Sequence, residues 1–428
     1  MTSPIRRIFH NFGLVASGQM AATGLGFIAL ALNTRALGPE DLGRLFLVQS
    51  TCELFSKVIA FQNWQSFIKV GAEIERRGSL SRLWAYGLGL DLTAAAIGAV
   101  MVGLLFLAAP RLVGLDPDTA RLGLVYAASL VLMAKGTSVG ALRLLDAYGW
   151  VVAVNILQAV LLLGSAAIFF AIDAPFSYYL VAIPLLTALC AIIMNFLGFL
   201  RVRASDTIGS RPRFDRMARR RFLGFAFGMS ASSTLNVLRQ RGEILIIGAI
   251  LGPTAAALYG VANRLAALVA RFAQAAQVSV YPEFGRMVSA GQSRDAAALA
   301  FRLSRWTATL AAVALIILAV AGGEILELLF GVEYRAAASI LLLLSLATGI
   351  SASVFALGPL VQITFGSWRF FILNLIAFGG FICFGALGPY LYGVDAAGTG
   401  RVAYSVLLAG LLIWQTHEML NETPQRVK

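Results

Sequence analysis

About twelve apolar stretches, each near or above the ~20 residues a helix needs to cross a bilayer, follow one another along this chain. They run over roughly 10–34, 43–72, 81–109, 119–140, 149–172, 177–200, 222–250, 254–281, 298–321, 335–357, 361–387 and 397–416. A backbone in hydrocarbon must satisfy its own hydrogen bonds, so runs of this kind fold as spanning helices. Strands of a membrane barrel would alternate apolar and polar residues over about ten positions instead. With 59% hydrophobic and 13% charged residues, the chain cannot supply the surface of a soluble protein of 428 residues. The expected fold class is an all-α integral membrane protein.

A second constraint is an internal echo. Leu37-Gly38-Pro39 recurs as Leu251-Gly252-Pro253, 214 residues later, half the length of the chain. The same offset pairs Lys57 with Arg271, two cations in apolar stretches, and Arg121 with Arg335, each just before an apolar run. Identity between the halves is otherwise weak, so what repeats is architecture. The expected organisation is a six-helix lobe over 1–200, a basic cytoplasmic linker over 201–221 and a second six-helix lobe over 222–428. Six is even, so both halves enter the membrane in the same direction and form a parallel repeat. Orientation follows from the cations. With the N-terminus inside, the cytoplasmic loops hold Arg76, Arg77, Arg82, Arg143, the 201–221 cluster, Arg286, Arg294, Arg302, Arg305 and Arg369. The opposite loops hold Arg35, Arg44, Arg111, Arg121, Arg335 and, at the margin of the last span, Arg401. That bias places both termini in the cytoplasm.

The net charge of +13 is concentrated between spans, densest over Arg201–Arg221, where it reads as a topology signal and a contact for anionic head groups. No nucleic-acid partner is expected. Cys52, Cys190 and Cys383 fall in apolar runs, and His10 and His417 stand near opposite ends, so neither a disulfide framework, a metal site nor a cofactor is expected. Arg6 and Arg7 precede an uncleaved first helix rather than a signal peptide. No phosphate-binding loop occurs, and no loop is long enough to bury a soluble catalytic core, which argues against an enzyme or an ATP-driven pump.

Charges inside the spans are the candidate functional residues. Glu53 and Lys57 sit four apart on one helix face in the second span. Asn236, Arg239 and Glu243 share a face in the seventh, with Arg241 on the far side, and Arg264, Arg271 and Gln274 share one in the eighth. At 1.5 Å per residue, Lys57, Arg239 and Arg264 lie about 15–21 Å from the outer boundary. That is near the midplane of a core about 30 Å thick. Two readings compete. Glu53–Lys57 and Arg239–Glu243 neutralise themselves as structural pairs, or the whole set lines a hydrated cavity. The cations Lys57, Arg239, Arg241, Arg264 and Arg271 outnumber the acids Glu53 and Glu243, which favours the cavity and calls for an anion such as phosphate or pyrophosphate. Asp91 and Lys135 fit a cavity or a paired role equally. Trp64 and Tyr259 fit interfacial packing better than sugar stacking.

The stretch Arg35-Ala36-Leu37-Gly38-Pro39-Glu40-Asp41-Leu42-Gly43 resembles the junction of helices one and two in polysaccharide-type flippases of the multidrug/oligosaccharidyl-lipid/polysaccharide exporter superfamily. Glu243-Ile244-Leu245-Ile246-Ile247-Gly248, Leu251-Gly252-Pro253 and Leu258-Tyr259-Gly260-Val261-Ala262-Asn263-Arg264 are similar to the matching stretch of the second half, with glutamate where the family often has aspartate. Tyr281-Pro282-Glu283 resembles the inner end of helix eight. The resemblance implies two six-helix lobes in a V around a central cavity. There Lys57, Arg239, Arg241, Arg264 and Arg271 would hold the diphosphate of an undecaprenyl-linked oligosaccharide, with Glu53 or Glu243 coupling H+ or Na+. It implies transport of an O-antigen, capsule or exopolysaccharide unit across a bacterial inner membrane by alternating access. With nothing hydrophilic to build a large subunit interface, a monomer in contact with membrane lipids is expected. A cation-coupled multidrug exporter of the same fold would need acids and aromatics in the cavity. A membrane glycan polymerase or ligase would need a large external loop or an acidic catalytic cluster. A lipid II flippase would carry more spans than are counted here.

Overall fold

The apolar runs fold into helices throughout. The computed structural model describes residues 4–59, 63–74, 80–205 and 216–421. In chain order its helices are α1 (Pro4–Ile59), α2 (Asn63–Ile74), α3 (Leu80–Ala108), α4 (Pro117–Met133), α5 (Gly136–Leu144), α6 (Tyr148–Ala171) and α7 (Phe176–Ser205). Then come α8 (Arg216–Leu251), α9 (Pro253–Ser289), α10 (Ser293–Phe330), α11 (Ala338–Ser353), α12 (Leu357–Phe365), α13 (Ser367–Tyr392) and α14 (Thr399–Asn421). Among the described residues no strand occurs. Among the described residues, eight stretches are long and apolar enough to cross a membrane, and the first of them, Val15–Gly71, is long enough to cross twice. The remaining long helices α8, α9 and α14 are the ones that carry most of the intramembrane arginines and Glu243.

The sequence echo is a repeated backbone turn. Gly38 bends α1 with φ 65° and ψ 177°, and Gly252 separates α8 from α9 with φ 86° and ψ 178°. Positive φ with extended ψ is open in practice to glycine alone. The proline that follows suits the first helical position, because its φ is already set and it has no N–H to satisfy.

The chain divides into two compact units, Met1–Arg241 and Gly242–Lys428, and the division falls inside α8. In the first unit α3 packs on α4, α4 and α6 on α7, and α2 on α5. In the second, α10 packs on α11, α11 and α13 on α14, and α9 on α11 and α12. The order of pairing is therefore the same in each: third crossing on fourth, fourth and fifth on sixth, second on fourth.

The fourth crossing of each unit is interrupted, which the hydropathy pattern does not predict. In the first unit 17 residues of α4 and 9 of α5 flank Ala134 and Lys135. In the second, 16 residues of α11 and 9 of α12 flank Val354–Ala356. The second interruption also moves a boundary: the run expected over 361–387 begins at Ser367, after Gly366 at φ 87°. Apolar residues continue through the break, so composition alone has nothing there to mark it.

Aromatic residues mark the depth of α13. Trp368 near its start and Tyr390 and Tyr392 at its end are all exposed. They lie about 33–36 Å apart at 1.5 Å per residue, matching interfacial positions on either side of a hydrocarbon core about 30 Å thick. On the face expected to be outside, Arg44 clamps the bend of α1 to the start of α4. Its guanidinium meets Glu40 at 2.6 Å, Asp41 at 2.9 Å and Asp116 at 3.5 Å. Asp116 caps α4 by accepting from the Thr119 N–H at 2.9 Å and hydroxyl at 2.7 Å. Partial burial pushes the Asp116 carboxyl up, but these hydrogen bonds and the Arg44 charge outweigh it and leave the pKa below the ordinary carboxylate value.

Candidate functional site

Two acid–arginine clusters form, one in each unit. Past the Gly38 bend, the second limb of α1 carries Glu53 and Lys57 one turn apart, about 21–27 Å along the helix from Pro39. Lys57 Nζ donates to Glu53 Oε2 at 3.3 Å, and Arg241 Nη2 of α8 reaches the same oxygen at 2.5 Å. One carboxylate thus serves two cations, and all three side chains remain open, at 35% exposure for Glu53, 54% for Lys57 and 34% for Arg241. At a spanning helix's interior such a surplus requires water or an anion beside it. The neighbouring wall is close-packed: a Cβ at Gly98 of α3 would lie 3.6 Å from the Ser56 backbone.

The second cluster is closed. Glu243 of α8 is 1% exposed and Arg401 of α14 is 9% exposed. Arg401 Nε donates to Glu243 Oε2 at 3.1 Å, Nη2 to the Tyr259 hydroxyl at 2.7 Å and Nη1 to Asn263 Oδ1 at 2.5 Å. The Tyr259 hydroxyl donates to Glu243 in turn, and the guanidinium lies 5.7 Å from the centre of the Tyr259 ring. Three helices are joined by this network, α8, α9 and α14. Glu243 Oε1 is buried with no hydrogen-bond partner among the described residues.

The remaining candidates fall around these clusters. Arg239 is half-buried on α8 two residues before Arg241, and Arg264 is exposed on α9 in the second unit. The Arg271 side chain lies outside the described residues, as does 206–215 of the basic linker. The structure therefore brings Glu53, Lys57 and Arg241 together and sets Glu243 in a separate network. Glu243 takes Arg401 as its partner, 158 residues away, instead of Arg239 four residues away on its own helix. The sequence pattern places Arg401 with the outer-loop cations and assigns Asn263 no role. The available signal was an arginine four residues inside the last apolar run. Tyr259 is fully buried, neither interfacial nor free to stack on a sugar.

Asp91 and Lys135 hold the break between α4 and α5. The Thr137 N–H, freed at the start of α5, donates to Asp91 Oδ2 at 2.7 Å, and Asn63 Nδ2 donates to Asp91 Oδ1 at 2.7 Å. The freed Ala134 carbonyl accepts from Asn195 Nδ2 at 2.8 Å. Lys135 Nζ donates to Gln158 at 3.3 Å, and Gln158 to Thr187 at 3.4 Å. Side chains that catch freed backbone groups are what allows a broken helix at membrane depth. In the second unit the break is apolar. Phe355 and Leu357 pack with Phe284 and Leu360, and Thr307 donates to the Ala352 carbonyl at 2.9 Å.

Comparison with known proteins gives concordant findings. Residues 33–339 match the model of a family described as polysaccharide biosynthesis protein. The inner membrane protein YghQ of Escherichia coli (strain K12) is 28% identical over 149 residues, 33% of this chain, and the chain spans only 41% of that relative's length. Among solved structures, an inward-facing multidrug resistance transporter of the MATE family, MOP superfamily, matches with a TM-score of 0.69 at 13% identity, over 93% of this chain and 94% of that one. Lipid II flippase MurJ in an inward closed conformation matches with a TM-score of 0.71 at 12% identity, over 95% and 90%. At these identities the likeness establishes the fold, which is the helical fold of those transporters.

Proposed function

The chain belongs to the polysaccharide biosynthesis protein family, and on that premise we propose that it is a flippase for a polyprenyl-diphosphate-linked oligosaccharide. The cargo is an O-antigen, capsule or exopolysaccharide unit, moved across a bacterial inner membrane by alternating access. One observation carries the substrate class: an open cluster of Lys57 and Arg241 around the single acid Glu53, within a spanning helix. A diphosphate supplies the missing negative charge and fits guanidinium forks in a way that a cationic drug does not. In this scheme Lys57 and Arg241 take the diphosphate, joined by Arg239, Arg264 and Arg271 as the cycle proceeds, while the prenyl tail stays in lipid. The protein works as a monomer, with both termini cytoplasmic and the 201–221 segment as the cytoplasmic linker between lobes.

Coupling to H+ or Na+ falls to Glu53, whose carboxylate is accessible and shared between two cations. Glu243, already neutralised by Arg401, anchors α14 in this scheme. Binding of undecaprenyl-diphosphate oligosaccharide and of a cationic dye to the purified protein, read by native mass spectrometry in detergent, tests the assignment. Selective retention of the diphosphate lipid, lost in Lys57→Gln with Arg241→Gln, is expected. Retention of the dye alone moves the protein to the drug-export branch. Transport by Glu53→Gln is expected to lose its response to uncouplers, and an unchanged response removes Glu53 from the coupling role.

A further inference from the structure

Asp91 caps the start of α5, and that role does not account for its charge. It lies about 17 Å along α3 from Leu80, well inside a hydrocarbon core about 30 Å thick, and is 7% exposed. Both of its bonds come from neutral N–H groups, Thr137 to Oδ2 and Asn63 to Oδ1. No lysine or arginine pairs with it among the described residues, and the Lys135 ammonium at the break goes to Gln158. An acid at this depth calls for a positive partner.

Two more oxygens come with those N–H groups. Asn63 Oδ1 and Thr137 Oγ1 are buried with no hydrogen-bond partner among the described residues, in side chains 1% and 0% exposed. Each belongs to a residue that already holds the carboxylate through a nitrogen. A half-turn of the Asn63 amide presents Oδ1 to Asp91 in place of Nδ2. Glycine leaves the room around them. A Cβ at Gly136 would lie 3.3 Å from Asp91 Oδ1, and one at Gly87, a turn before Asp91 on α3, would lie 2.8 Å from Thr137 Oγ1. Holding a broken helix does not require this polar set, since the second unit packs Phe355 and Leu357 at its break.

The occupant must answer both the charge and the unpartnered oxygens. A water satisfies the oxygens and leaves the carboxylate charge in hydrocarbon. A proton removes the charge and leaves at least one oxygen without a partner. A divalent ion brings one charge too many for a single carboxylate. A small monovalent cation meets both demands, with carboxylate, amide and hydroxyl oxygens as the hard donors it prefers.

We propose that Asp91, Asn63 and Thr137 bind one sodium ion at the α4–α5 break. The ion ties the starts of α2 and α5 to α3 through their oxygens, so its release loosens the break. The site depends neither on the cargo nor on the coupling role of Glu53.

Binding of radioactive sodium to the purified protein in detergent tests this, together with melting in sodium or choline chloride at equal ionic strength. Both are read in Glu53→Gln, so that an ion held by the open cluster is not counted. One retained sodium per chain and a higher melting temperature in sodium are expected. Adding Asp91→Asn should abolish both. Adding Thr137→Val, which keeps the N–H and removes the hydroxyl, should weaken binding severalfold. If the Asp91→Asn protein does not fold, Thr137→Val carries the test by itself. Sodium retention that is absent in Glu53→Gln, or that survives both added substitutions, overturns the proposal. Stabilisation by acid with no response to sodium also overturns it and makes Asp91 a proton carrier.

Discussion

Glu53 and Glu243 each hold an arginine inside a membrane-spanning helix, and the two pairs live in opposite surroundings. Glu53 shares one oxygen between Lys57 and Arg241 and stays a third exposed. Glu243 is sealed by Arg401, Tyr259 and Asn263. An exposed pair is cheap to open, because water or an incoming anion replaces the lost partner. A buried one is costly to break, because the remaining charge has nowhere to go. The open cluster is thus suited to exchanging partners and the closed one to holding three helices in register. The breaks in the fourth crossings divide along the same line, since polar side chains hold the first and apolar packing the second.

The sharpest way to break this contrast is Arg401→Gln. It leaves Glu243 buried without a cation and should cost about 3–5 kcal/mol, read as thermal unfolding of the purified protein. Adding Glu243→Gln should recover part of that loss, since the stranded charge is then gone. An unchanged melting point in Arg401→Gln would mean that the second cluster is as open as the first. A step smaller is Gly400→Val, next to Arg401. A Cβ at Gly400 would meet the Gly385 Cα at 2.6 Å, so α14 must shift from α13 and carry Arg401 with it. The expected cost is about 1–3 kcal/mol. A melting point equal to wild type would show that α14 moves without disturbing Arg401.

In the open cluster stability and activity should separate. Arg241→Gln is expected to change unfolding by less than about 1 kcal/mol while lowering retention of the diphosphate lipid severalfold in native mass spectrometry. Loss of folding comparable to Arg401→Gln would make the first cluster structural as well. The smallest effect belongs to a cluster outside the spans. The native Asp116 pKa lies below its ordinary value, so its contribution is present above the unfolded carboxylate pKa and is lost as pH falls through the native one. Asp116→Asn should therefore flatten the acid limb of a melting-temperature profile, and an identical acid limb would remove Asp116 from the clamp.

Which of these features the sequence reveals depends on the distance over which they act. Glu53 and Lys57 are one helical turn apart, so helix periodicity alone pairs them, and the structure has that contact. Arg241 joins Glu53 from a helix far along the chain, and Arg401 joins Glu243 from one 158 residues on, so no local pattern points to either. The apparent local pair, Arg239 with Glu243, gave way to the longer one because Arg401 also satisfies Tyr259 and Asn263 in a single buried fork. Asp91 appeared as an unexplained acid in an apolar run. Its purpose emerges only with the freed Thr137 N–H that it caps.

By itself the sequence determined the all-helical membrane class of the molecule and its two glycine–proline bends. Those follow from hydropathy, from helix length against bilayer thickness and from the φ values that glycine and proline allow, all properties of short stretches of chain. Tertiary structure alone decided which acid is sealed and which is open, and where the fourth crossings break. A buried carboxylate goes to whichever cation packing delivers in hydrocarbon, and a freed backbone group to whichever side chain a neighbouring helix presents.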